Sequence, residues 1–139
     1  MALSRNHSYF QLNTGASLKT MKEFSVFTEL SIDIGGVEYR PDIAVYPKMV
    51  INRFKDELRM TTLPLLAIEI FSPTQGTKEL LEKVEVYFQN GIKSCWLIEP
   101  LTATVTVFSS SQQAKTYTEG VIIDEIAGIK LAIKDIFEL

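Results

Sequence analysis

Apolar positions along this chain change period several times, and each change marks an element. From Asn6 to about Glu23, Phe10, Leu18 and Met21 with the small residues Gly15 and Ala16 fall at helical spacing, which predicts a first helix with Asn6 as its N-cap. Phe24 to Ile34 alternates, Gly35-Gly36 supplies a two-residue turn, and Val37 to Tyr46 resumes the extended pattern, so this stretch reads as a β-hairpin. Pro47 to Thr62 mixes charge with scattered apolar residues and reads as a loop or a short surface helix. Leu63 to Phe71 is an almost unbroken apolar run, the pattern of a strand buried on both faces and central in its sheet.

In Thr77 to Asn90 the residues Leu80, Leu81, Val84, Tyr87 and Phe88 form one helical stripe, and Gly91 follows as a C-cap signal. Ser94 to Glu99 is a second buried strand ended by Pro100; the strand–helix–strand order predicts a crossover that leaves the two strands parallel. Thr102 to Ser109 alternates as a further strand, Ser109 to Gln113 is a polar turn, and Lys115 to Tyr117 pairs back. Val121 to Ile133 holds short extended pieces and Lys134 to Leu139 closes the chain. No internal repeat or linker divides residues 1–139, which read as one α/β domain, a mixed (α+β) sheet flanked by helices.

Composition narrows the class. Apolar residues make up 46% and charged residues 22% of 139, both globular values, so neither a disordered chain nor a membrane protein fits. No run reaches the roughly 20 apolar residues of a membrane span, and the start lacks a signal-peptide layout, so a cytoplasmic location is expected. The one cysteine, Cys95, rules out an internal disulfide framework and lies in an apolar run that reads as core. A formal net charge of −3 argues against binding through a broad basic surface; contact with nucleic acid has to be local.

Two carboxylates stand out by their surroundings. Asp42 follows Pro41 at the entry to an extended segment, and Glu69 is embedded in the most apolar strand. Desolvating an ionised carboxylate costs several kcal/mol unless a cation or hydrogen-bond donors compensate it. A divalent metal is one such partner, since Mg²⁺ takes oxygen ligands, commonly one or two carboxylates with waters. An ion pair with Lys83, or a strand end that reaches water, is the structural alternative for Glu69. Lys83 in turn has Glu79 at i−4, the spacing of an ordinary surface salt bridge, although the crossover helix also packs over the sheet that carries Glu69.

The strings Tyr39-Arg40-Pro41-Asp42-Ile43-Ala44-Val45, Leu66-Ala67-Ile68-Glu69-Ile70-Phe71-Ser72-Pro73-Thr74, Glu79 to Tyr87 and Asn90 to Pro100 occur in an order and spacing that resemble the Uma-type endonuclease family of the PD-(D/E)XK superfamily. That resemblance implies a restriction-endonuclease-like fold, Mg²⁺ or Mn²⁺ as cofactor and DNA as substrate. It makes Pro41-Asp42 the PD element and Glu69 the (D/E), with Asp42, Glu69 and the carbonyl of Ile70 as metal ligands. Phe71 stands where the motif lysine would be, and the resemblance moves that role to Lys83. His7 lies where relatives often carry a histidine, with Gln11 on its face at i+4; Glu29 and Glu79 are further accessory candidates, each equally readable as a surface group. The segment ahead of His7 is short for the family, which leaves a sheet edge that a second copy would cover; a homodimer is expected. The alternative to an active endonuclease is a nuclease-like binding or assembly module that cleaves nothing.

Overall fold

The computed structural model describes residues 4–139. In chain order the elements are α1 (Arg5–Lys19), β1 (Phe24–Thr28), β2 (Ile32–Ile34), β3 (Val37–Tyr39), β4 (Ile43–Pro47), β5 (Leu66–Ile70), α2 (Thr77–Gln89), β6 (Ser94–Glu99), β7 (Thr104–Ser110), β8 (Gln113–Tyr117), β9 (Val121–Asp124), β10 (Ile129–Ala132) and α3 (Ile133–Phe137). Six strands form the main sheet in the order β1-β4-β5-β6-β7-β8. Only the β5–β6 pair is parallel, joined through α2 as the strand–helix–strand pattern predicts; the other pairs in the sheet are antiparallel.

All five residues of β5 are buried, and their alternation feeds two cores. Leu66, Ile68 and Ile70 pack with Trp96, Ile98, Leu18 and Phe137 on the face covered by α1 and α3. Ala67 packs with Leu80, Val84 and Tyr87 of α2 on the other face. By the same alternation Glu69 belongs to the α2 face, which sets where its carboxylate emerges.

Several boundaries differ from the sequence reading, for local reasons. The first helix starts at Arg5 and ends at Lys19, and its N-cap is Ser4, not Asn6: the Ser4 side chain accepts the His7 amide at 3.1 Å, which satisfies an orphan donor of the first turn. The predicted hairpin is present but broken. Phe24 to Thr28 pairs with Ile43 to Pro47 in the main sheet, and Ile32 to Ile34 pairs with Val37 to Tyr39 in a separate ribbon, both ladders on one register. The break falls opposite Asp42, at Glu29, whose φ is +54° and whose amide bonds the Asp42 carbonyl at 3.1 Å. Gly35 and Gly36, at φ +61° and +85°, form the turn that a tight hairpin requires. Residues 48–59 form no helix, and β5 begins only at Leu66, past Pro64. Gln113, read as turn, belongs to β8. Within the α2 stripe, Leu80, Val84 and Tyr87 face the core whereas Leu81 is exposed.

One buried carboxylate passed unnoticed in the sequence. Asp124, at the end of β9, accepts from the Ser94 hydroxyl, from the Trp96 indole N–H at 2.8 Å and from the Ala127 amide at 2.9 Å. It ties the β9–β10 hairpin to β6. Asp124→Ala leaves those buried donors unpaired and is expected to lower stability by about 3 kcal/mol, measured as a reduced urea midpoint with an unchanged slope.

Candidate functional site

Where the broken hairpin meets β5, a cleft of about 250 Å³ opens, lined by His7, Glu29, Arg40, Asp42, Glu69, Ser72, Gln75 and Lys83. Four elements supply these side chains. Asp42 stands at the entry to β4, just after Pro41. Its Oδ2 accepts the Ile70 amide at 2.7 Å and lies 3.1 Å from Nε2 of His7. The shift of the N-cap to Ser4 matters here, because it places His7 in the third helical position, buried and aimed at Asp42.

Glu69 is only 1% exposed. Its Oε2 accepts from the Tyr87 hydroxyl at 2.6 Å, and its Oε1 lies 3.9 Å from Nζ of Lys83. Burial, reinforced by the charge of Asp42, pushes the Glu69 carboxyl up to about 8, against the opposing pull of Lys83, Tyr87 and His7. The His7 imidazole is raised, chiefly by its hydrogen bond to Asp42, with burial opposing. Tyr87 is raised as well, by burial and then by Glu69, so its hydroxyl remains a donor.

The structure therefore brings Asp42, Glu69, Lys83, His7 and Glu29 to one cleft, and Gln11 reaches it indirectly by donating to Glu29 Oε2 at 3.2 Å. Glu79 is not among them: it is exposed, and Lys83 turns to Glu69 instead, because the crossover helix lays that side of α2 against the sheet. The Ile70 backbone enters through its N–H, which fixes Asp42. Of the nearby basic residues, Arg40 lines the cleft, whereas Lys48 lies at another groove, Arg53 stacks on Phe54 and Lys78 faces Glu82. Tyr87 is the participant that sequence reasoning assigned to the core alone; its position at i+4 from Lys83 is the signal that would have found it.

Among the described residues no group of three or more His, Cys, Asp or Glu side chains is arranged to hold a metal ion. A hard dication such as Mg²⁺ asks for less, one or two carboxylates with water and substrate oxygens, and Asp42 and Glu69 are such a pair. Asp42 and Glu69 share this cleft with Glu29, and Glu69 is pushed upward by burial and then by the charge of Asp42, so a dication would relieve the cost that raises it. The donor set fits the ion in that sense.

A mixed sheet with a parallel pair at its centre and helices on both faces defines a mixed α/β protein. A putative nuclease belonging to DUF820 from Anabaena variabilis has a crystal structure that superposes with a TM-score of 0.80 at 23% identity, covering 97% of this chain and 82% of that one, a likeness of fold. The Uma2 family model, described as "Putative restriction endonuclease", matches residues 1–134, and the chain belongs to that family. No curated protein matches it. Among the described residues no helix is long and apolar enough to cross a membrane.

Proposed function

We propose that this cleft hydrolyses phosphodiester bonds in DNA with Mg²⁺ or Mn²⁺ bound at Asp42 and Glu69, the carbonyl of Ile70 serving as a third oxygen. The observation that carries the reading is the meeting of Asp42, Glu69 and Lys83, from a loop, a strand and a helix, in a single cleft. The chemistry such an ion supplies when bound is polarisation of a phosphoryl oxygen and acidification of water. The protein's own groups do the rest. His7 and the Ile70 amide hold Asp42 in place from two sides. Tyr87 fixes one oxygen of Glu69 and leaves the other turned toward Lys83. The Lys83 ammonium, on a flexible stem, orients the attacking water and offsets the negative charge that develops on the phosphate. It fills from α2 the role vacated by Phe71. Arg40 adds a cation for the strand being held. A homodimer would present two such clefts to a duplex.

Isothermal titration of Mn²⁺ and Mg²⁺ into the protein, followed by nicking of supercoiled DNA, tests the reading; binding and nicking are expected together. Absence of both in the folded protein would leave a nuclease-fold module without the reaction. Lys83→Met is expected to keep metal binding and folding while nicking falls at least about a hundredfold, read from single-turnover rates beside thermal melts of the same preparations. An unchanged rate would remove Lys83 from the reaction.

A further inference from the structure

Beside the cleft lies a larger cavity of about 510 Å³, within the size range of small-molecule sites. Ser72 lines both spaces, so they adjoin. That adjacency is built into two elements. Phe71 follows Glu69 by two residues at the end of β5, and Arg5 and Asn6 precede His7 in the first turn of α1. Elements that aim acid and histidine into one space thus present different side chains to the next.

The lining has two chemistries. Phe71, Pro100 and Leu101 offer flat or apolar surface, and Leu101, in the turn between β6 and β7, is 91% exposed. Arg5, Asn6 and Glu99 supply donors and acceptors. Each is steadied by a local bond: Arg5 Nε donates to Asn6 Oδ1 at 3.1 Å, and the Leu101 amide donates to Glu99 Oε2 at 3.1 Å. A flat apolar seat edged by Arg, Asn and Glu matches a nucleobase, whose faces stack on apolar and aromatic groups and whose edges these three side-chain types recognise.

Building on the nuclease reading, we infer that this cavity seats one unpaired nucleobase next to the phosphate held in the cleft, so that the preferred substrate carries an unpaired nucleotide at the cut. A paired base cannot enter such a recess without leaving its stack, and a base already unpaired enters at little cost. The base comes either from a single strand or from a bulge in a duplex; the chemistry of the seat is the same.

The test measures binding of the full chain, in buffer without divalent metal, by fluorescence anisotropy of four labelled DNAs: an intact duplex, a duplex with a one-nucleotide bulge, the same bulge made abasic, and a single strand. Binding about tenfold tighter to the base-bearing bulge than to the abasic one is expected, the increment of one stacked base. Leu101→Ser and Phe71→Ala should each abolish that difference while leaving affinity for the abasic bulge unchanged. Phe71 is partly buried against the α2 core, so Leu101→Ser, at an exposed position, carries the test if Phe71→Ala does not fold. Preference for the single strand over the bulge assigns the base to single-stranded DNA, and the reverse assigns it to a base extruded from a duplex. Equal binding of base-bearing and abasic bulges, or discrimination that survives Leu101→Ser, overturns the inference. Metal-dependent nicking without discrimination sinks the base seat alone, whereas discrimination without nicking sinks the nuclease reading alone.

Discussion

Glu69→Gln should abolish nicking of supercoiled DNA and the heat of Mn²⁺ binding while leaving a folded protein. The replacement has the same shape, and its amide oxygen still accepts from the Tyr87 hydroxyl that bonds Glu69 Oε2 at 2.6 Å. It also resembles the neutral form of a carboxyl that burial pushes up to about 8, so the core around β5 sees little change. What vanishes is the negative charge beside Asp42 that a dication needs. Loss of cleavage by at least a factor of about a thousand is expected, at the upper end for removal of one electrostatic group from a reaction centre. Glu69→Ala should lose metal and cleavage too, with lower stability, because the Tyr87 hydroxyl is left buried and unpaired. Cleavage retained in Glu69→Gln would refute the assignment of this residue, and with it the cleft as a metal site.

The second large effect is a coupling between pH, metal and stability. A carboxyl whose folded value is about 8 against an ordinary 4.5 binds a proton in the folded state that the unfolded chain has released over that interval. Unfolding stability therefore falls as pH rises from about 4.5 to about 8, by up to about 1.4 kcal/mol per pH unit for this one group, and the stabilising contribution is gone above about 8. His7, also raised, adds in the same direction: its contribution is present below the ordinary imidazole value and is lost as pH climbs through the raised one. In chelator, the melting temperature should decline between pH 5 and pH 9 by an amount worth on the order of a few kcal/mol. Mg²⁺ or Mn²⁺ should restore more stability at pH 9 than at pH 6, because at the lower pH a proton already occupies Glu69 and must leave before the metal binds. Glu69→Gln should flatten the decline and remove the metal effect. Calorimetric scans of both proteins with and without metal decide it; a wild-type profile that rises with pH and ignores metal would contradict the buried pair of acids.

How much of this was legible beforehand varies with the range of the interaction responsible. The α2 stripe of Leu80, Val84 and Tyr87 and the Gly91 stop reflect contacts between residues three or four apart, and both appear where periodicity placed them. The unbroken apolar run of β5 marks burial on both faces, which one strand's composition reveals. The parallel β5–β6 pair follows from chain connectivity through a helix. Glu69 was likewise visible as a candidate, because a charge inside an apolar run is costly and so conspicuous, whereas the family resemblance, and not the spacing, supplied the roles of Asp42 and Lys83.

Partner choice was not visible. Nothing in the local pattern says that Lys83 turns to Glu69 rather than to Glu79, that the helix caps at Ser4 and so aims His7 at Asp42, or that the hairpin breaks at Glu29 opposite Asp42. The Asp124 junction with Ser94 and Trp96 joins residues 28 and 30 apart in the chain, and neither end carries an unusual composition. Sequence by itself determined which segments become helix or strand and which acids are expensive to bury, since those depend on neighbours a few residues away. Tertiary structure alone decided which groups meet, because a hydrogen bond or ion pair between distant residues is selected by the packing of whole elements, and that packing is a sum over many side chains no single segment contains.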